Sequence, residues 1–143
     1  MEKLNSKKIG NTTEIKCMSS FMELGYNVLI PFGDCERYDF VADVNGKFIK
    51  IQCKTSKQEG NTNSSFGFSC RSSHRKNGHI INCKYTDKEI DYFATFYENK
   101  CYLIPVELCG SYKKLRLKNA TNKQVERINF AQDYELEVIL KTL

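Results

Sequence analysis

The dipeptide Asn45-Gly46 stands between two strand-like runs, Tyr38 to Val44 and Lys47 to Lys54. Both turn positions of a tight hairpin need positive φ, and Asn-Gly provides this at little cost, so it is the strongest short hairpin signal a sequence carries. A two-residue turn also sets register. With Val44 opposite Lys47, Asp39 falls directly across from Gln52. Lys54, two residues further on, shares their face. The opposite face carries Phe40, Ala42, Val44, Ile49, Ile51 and Cys53, which makes it the core side. A one-residue slip would exchange the two faces, so the register is strongly specified.

The rest of the chain supplies partners for this hairpin. A first helix is predicted from Asn11 to about Leu24, with Asn11 as cap, Glu14 in a capping box and Gly25 as stop. Ile15, Met18, Phe21 and Met22 form its apolar stripe. Tyr26 to Ile30 reads as a short buried strand ended by Pro31. Thr55 to Ser65 reads as a polar, mobile loop, and Ser65 to Cys70 as a strand. Arg71 to Gly78 reads as a basic, serine-containing loop, followed by a short strand from His79 to Cys83. Asp91 to Tyr97 and Lys100 to Ile104 form a second hairpin about Glu98-Asn99. Pro105 opens a short helical turn through Cys109, and Asn122 to Ala131 suggests a last helix, with Val125, Ile128 and Ala131 inward. A helix, then strands in hairpins, then helices implies an α/β domain of the α+β type, built on one mixed central sheet flanked by helices. At 143 residues it is expected to be one domain, 1–143.

Composition excludes several classes. No apolar run approaches the roughly 20 residues a membrane helix needs, so no membrane partner is expected. The polar, basic first ten residues carry no apolar segment of a signal peptide. The seven cysteines are odd in number and lack CxxC spacing, so neither a zinc site nor a disulfide framework follows. A reducing, cytoplasmic setting is the simpler expectation. The net charge of +5 tolerates a polyanionic partner without demanding one.

The polar end of the hairpin suits phosphodiester hydrolysis. Asp39 offers a hard anionic oxygen to Mg²⁺, which prefers oxygen ligands and keeps several waters. The Gln52 amide oxygen and the Cys53 backbone carbonyl can add neutral ligands. Lys54 can orient or help deprotonate the attacking water and offset charge developing on phosphorus. The metal would activate the water and polarise the phosphate. One carboxylate holds a divalent ion weakly. Glu14 is the candidate for a second acid, because it shares a helix stripe with Met18 and Phe21 and so leans toward the sheet.

At these residues the chain resembles the PD-(D/E)XK nuclease superfamily. Within it, the resemblance is to small endonucleases related to group I intron homing endonucleases. The matching text is Gly10 to Glu14, Gly25 to Gly33, Arg37-Tyr-Asp-Phe40, Gly46 to Thr55, Arg71-Ser-Ser-His74, Asp91-Tyr-Phe93, Tyr102 to Val106 and Asp133 to Leu136. The resemblance implies a restriction-endonuclease-like core. It also implies a Mg²⁺-dependent DNA endonuclease, with Mn²⁺ able to substitute, that leaves a 5′-phosphate. Its active site maps onto Glu14, Asp39, Gln52 and Lys54, with metal ligands from Asp39, Glu14, Gln52 and the Cys53 carbonyl. Gln52 stands where the superfamily usually has Glu or Asp, a variant expected in this branch that removes one negative charge. Arg37, Arg71, Ser72, Ser73, His74 and Arg75 are the candidate DNA contacts. Double-stranded DNA is the expected partner. A homodimer or homotetramer is expected too, since one site per chain must cut two strands. A junction-resolving nuclease and a catalytically inactive DNA-binding module are the alternatives. RNA binding has no dedicated motif here.

Each residue also has an ordinary reading. Asp39, Gln52 and Lys54 could be an exposed cross-strand cluster, and Glu14 a cap partner favoured by the helix dipole. Asp43 is better read as a turn-flanking surface acid, and Asp91 as a strand-start acid. His74 and His79 are better read as surface residues than as a metal pair. Lys113, Lys114, Arg116 and Lys118 are better read as a solvated strand edge than as a DNA stripe.

Overall fold

The computed structural model describes residues 3–117 and 128–143. Its centre is a five-stranded sheet in the order β1-β2-β3-β8-β9, formed by Asn27–Leu29 (β1), Phe40–Val44 (β2), Lys47–Cys53 (β3), Tyr92–Tyr97 (β8) and Lys100–Pro105 (β9). Only the β3–β8 pairing is parallel, so the sheet is mixed. The segment between β3 and β8, joined by a strand after β9, builds two smaller sheets. One is antiparallel, with order β10-β5-β4, from Lys57–Gln58 (β4), Ser65–Ser69 (β5) and Tyr112–Arg116 (β10). The other is a two-stranded ribbon of Arg71–Lys76 (β6) and His79–Lys84 (β7).

The central sheet is buried on one face by helices and on the other only over β8 and β9, so β2 and β3 alternate with the period of two expected of strands. Helices α1 (Ser6–Glu23) and α2 (Leu136–Leu140) cover one face, where Phe21, Phe40, Ile49, Ile51, Leu103 and Leu136 meet. The β10-β5-β4 sheet covers β8 and β9 on the other, where Phe66, Phe68, Phe93, Ile104 and Leu115 meet. The first hairpin has the predicted register, with Val44 opposite Lys47 and Phe40 opposite Ile51. Asn45 and Gly46 have φ of 55° and 88°. Phe40, Ala42, Val44, Ile49 and Ile51 are buried and Cys53 packs against them, so the core face is the predicted one. Asp43 accepts from Gly46 N at 2.8 Å, as a turn-flanking acid. The carboxylate of Asp91 accepts from Lys50 N at 2.8 Å and clamps the entry to the parallel pair.

Several expectations need correction. Helix α1 starts earlier than Asn11. Asn5 is its cap and accepts from Lys7 N at 2.8 Å, so Glu14 lies in mid-helix and no capping box forms. Its buried line is Thr13, Cys17 and Phe21, while Ile15 and Met22 are each 63% exposed. The stop at Gly25 holds: Gly25 N donates to Met22 O and Tyr26 N to Phe21 O, the paired bonds of a Schellman end. Strand β1 is a largely exposed sheet edge rather than a buried strand. The polar stretch after Thr55 contains β4. The basic stretch from Arg71 is strand β6 of a hairpin turning at Asn77-Gly78, with φ of 52° and 78°. Lys113 is buried, and its ammonium donates to Leu108 O at 3.0 Å. The predicted helix from Asn122 falls mostly outside the described residues, as does Lys118; Ala131 opens a short 3-10 turn.

Candidate active site

Asp39 sits one residue before β2. Its N–H donates to Ile51 O at 2.7 Å, and its Oδ2 accepts from Cys53 N at 2.8 Å. The carboxylate is therefore held at the end of β3, beside Gln52 and Lys54, as the register requires. Gln52 is half-buried, with Nε2 3.5 Å from Cys53 O. Lys54 extends the parallel ladder through its N–H to Ala94 O at 2.9 Å. Its ammonium donates to Arg71 O at 2.8 Å and lies 5.0 Å from the centre of the Tyr85 ring.

Glu14 reaches this end of the sheet from α1. Thr13 on the same turn is 8% exposed and shares a hydrogen bond of 3.1 Å with the Thr55 hydroxyl, next to Lys54. That contact ties the helix turn bearing Glu14 to the strand end bearing Lys54. Burial raises the Glu14 carboxyl above its ordinary pKa, and the neighbouring Asp39 raises it further. Burial raises Asp39 as well, opposed by the Cys53 N–H and by Lys54. Burial lowers Lys54, opposed chiefly by Asp39. Two partly desolvated carboxylates beside a partly desolvated ammonium make a site in which charge is worth more than in water.

These residues fit a hard divalent cation. Two neighbouring carboxylates, both raised by burial and Glu14 also by the Asp39 charge, form a field a cation would relieve, and Gln52 and Cys53 add neutral oxygens. Among the described residues no three His, Cys, Asp or Glu side chains form a ready cage. That suits Mg²⁺, which is usually held by one or two carboxylates together with waters and substrate phosphate.

Arg37 is the hub of the surroundings. Its Nη1 donates to Ser72 Oγ at 2.8 Å and its Nη2 to Lys84 O at 3.0 Å. Its Nε pairs with Glu89 at 3.0 Å, and the guanidinium stacks 4.0 Å from the centre of Tyr85. Arg71 and Ser72 stand at the root of the β6–β7 ribbon, half-buried, whereas Ser73, His74 and Arg75 are exposed along it. Sequence reasoning missed Tyr85, Thr13 and Thr55. No local pattern marks them, because each acts on a partner at least 31 residues away.

Residues 4–137 match the profile of the PD-(D/E)XK endonucleases. The chain belongs to that family. A bacterial homing endonuclease, I-Ssp6803I, superposes on this PD-(D/E)XK endonuclease with a TM-score of 0.77. The match covers 97% of this chain and 95% of that one at 24% identity, a likeness of fold. No curated relative matches the endonuclease. The fold is thus a nuclease fold, and the family's chemistry is endonucleolytic.

The pKa shifts of this endonuclease give a sign that can be checked without substrate. A carboxylate raised in the folded state holds its proton when the unfolded chain has lost it. Stability then falls as pH rises from the unfolded pKa through the folded one. Asp39→Asn removes that penalty and keeps an amide oxygen for Cys53 N–H. The variant is expected to melt a few degrees higher than wild type at pH 7 in EDTA, with the difference vanishing below about pH 4. A variant that melts lower at pH 7 would mean that Lys54 and the Cys53 N–H outweigh burial.

Proposed function

We propose that the protein is a Mg²⁺-dependent DNA endonuclease of homing type, one domain spanning residues 1–143, with Mn²⁺ able to substitute. The observation that carries this reading is the convergence of Asp39, Glu14 and Lys54, from two separate elements, at the polar end of one hairpin. A divalent cation held by Asp39, Glu14, the Gln52 amide oxygen and the Cys53 carbonyl would supply Lewis acidity to the phosphate and lower the pKa of water. Lys54 positions the nucleophile and offsets charge on the phosphorane. Asp39 sets the orientation of the cluster through Cys53 N. Arg37 and the Arg71 to Arg75 segment contact the duplex.

Self-association supports cutting of both strands. Ile15, Met18, Met22, Val28 and Ile30 line one apolar groove on the outer side of α1, and Ile30 is 69% exposed. This surface supports the reading of a homodimer or homotetramer, whose interface would cover it. Seven free cysteines agree with a cytoplasmic setting, and among the described residues no helix is long and apolar enough to cross a membrane.

Gln52 favours a second reading, a nuclease fold that binds DNA without cutting it, because the amide removes one anionic ligand. The test presents supercoiled plasmid, long linear duplex and a synthetic four-way junction, each with Mg²⁺, Mn²⁺ or EDTA. Asp39→Ala and Lys54→Ala serve as controls. Metal-dependent nicking of plasmid, lost in both variants and leaving 5′-phosphate ends, is the expected result. Cleavage confined to the junction would make the enzyme a resolvase. Salt-sensitive DNA binding without cleavage of any substrate in either metal would leave only the binding module.

A further inference from the structure

The β6–β7 ribbon belongs to neither larger sheet and packs a core through neither face. Residues 71–84 contain four Lys or Arg, both of the chain's histidines and no acid. An exposed two-stranded ribbon without a core to bury needs another reason to be held in place. Its root is fixed three times over. Arg37 donates to Ser72 Oγ and to Lys84 O, and Lys54 donates to Arg71 O. Its tip, at Asn77-Gly78, is exposed.

We infer that this ribbon is the sequence-reading element of the protein, inserted into the major groove of duplex DNA, with Arg75, Ile80 and Asn82 facing base edges. The inference rests on the nuclease reading above. Cross-strand partners share a face, so the pairs Ser73↔Asn82 and Arg75↔Ile80 place these residues side by side. The opposite face holds Ser72, Ile81 and Cys83, each partly buried, and the exposed His74, Lys76 and His79. The first face is exposed at Ser73, Arg75, Ile80, Asn82 and Lys84, and it carries the contacts. Its groups match the groove's code: a guanidinium for guanine O6 and N7, an amide for adenine N6 and N7, and an apolar side chain for the thymine methyl. Ser73 Oγ donates to Asn82 Oδ1 at 2.5 Å, which restrains the orientation of the amide. Arg75 is exposed and makes no ion pair with any described residue. Ile80 is 65% exposed.

Dimensions agree. Six residues per strand give a ribbon about 20 Å long, and a two-stranded ribbon fits a groove about 12 Å wide and 8.5 Å deep. Because the root bonds directly to Lys54, bases read along the ribbon lie at a fixed offset from the candidate cleavage site. Lys84, at the root, is placed for phosphate.

The test separates base reading from cutting. Duplexes carrying a randomised stretch are selected for binding without Mg²⁺ by wild type, Arg75→Ala, Asn82→Ala, Lys84→Ala and Asp39→Asn, and the retained pools are sequenced. Wild type is expected to retain a defined motif. Arg75→Ala should lose a guanine preference at one position, by roughly five- to 150-fold against the wrong base, and Asn82→Ala an adenine preference at another. Lys84→Ala should weaken binding evenly and lower the salt slope by about one. Asp39→Asn should keep the wild-type motif, whatever its effect on cleavage. Unfolding curves of the exposed-site variants confirm that the ribbon's root is intact. A motif unchanged in both Arg75→Ala and Asn82→Ala overturns the inference while leaving the nuclease reading standing, as does a wild-type pool with no base preference. A wild type that retains no duplex overturns both.

Discussion

Lys54→Ala is expected to slow metal-dependent cleavage by about 10²- to 10⁴-fold, the range for losing a positioned acid–base or charge-stabilising group. Duplex binding should weaken less than tenfold, since one cation among many is removed. The reason lies in the ammonium's surroundings. It is partly desolvated, donates to Arg71 O at 2.8 Å, and faces Asp39 with Tyr85 beneath it. A cation fixed in such a place stabilises charge at the transition state without reorganising. Lys54→Arg separates the two roles open to the residue. Arginine keeps the charge but cannot give up its proton. A retained rate in Lys54→Arg assigns electrostatics, and a rate as low as in the alanine variant assigns proton transfer or exact fit. Single-turnover rates on a plasmid or duplex substrate measure both. Asp39→Ala combined with Lys54→Ala should cost little more than either alone, because members of one unit are strongly non-additive. A Lys54→Ala enzyme within threefold of wild type would remove the residue from the site.

The geometry of that site was legible because a two-residue turn and a period of two leave no freedom. Once Val44 faces Lys47, Asp39 must approach Gln52, and the core face must be the one with Phe40 and Ile51. The same turn signal stands at Asn77-Gly78. It passed unread because Ser, His, Arg and Lys flank it, and a ribbon with no core face shows no apolar alternation. Helix α1 is legible and its apolar stripe in part: Phe21 is buried and Met18 packs against the core, while Ile15 and Met22 face outward. Counting hydrophobic residues adds Ile15 and Met22 to the stripe, whereas packing completes it with Thr13 and Cys17. Small and weakly polar side chains can approach the sheet closely, and hydrophobicity counts pass over them. Glu14 survived the error because it adjoins Thr13, whose hydroxyl meets Thr55. The bonds of Arg37 to Ser72, Lys84 and Glu89 span 35 to 52 residues of sequence, and nothing local encodes them.

Phe40→Ala is expected to give the largest loss of stability, about 3–5 kcal/mol, a large part of the 5–15 kcal/mol typical of a domain. Phe40 is fully buried and meets Phe21 edge to face, with ring centres 5.5 Å apart. It begins β2, next to Asp39, and Phe21 lies two helical turns beyond Glu14 on α1. The two rings therefore hold together the elements that supply the two carboxylates. Emptying this contact leaves a cavity and also loosens the approach of Glu14 to Asp39. The melting temperature should fall by roughly 10–20 °C for a domain of this size, and the folded fraction should cut more slowly than wild type well below the midpoint. Phe48→Ala is the matched comparison. Phe48 lies on the neighbouring strand but on the opposite face, 61% exposed, so its loss should stay within about 0.5 kcal/mol. Urea unfolding of the two variants reads the difference directly. Equal losses would mean that the hairpin does not turn Phe40 inward and Phe48 outward. In that case Asp39, which neighbours Phe40 in the chain, would lose its place across from Gln52.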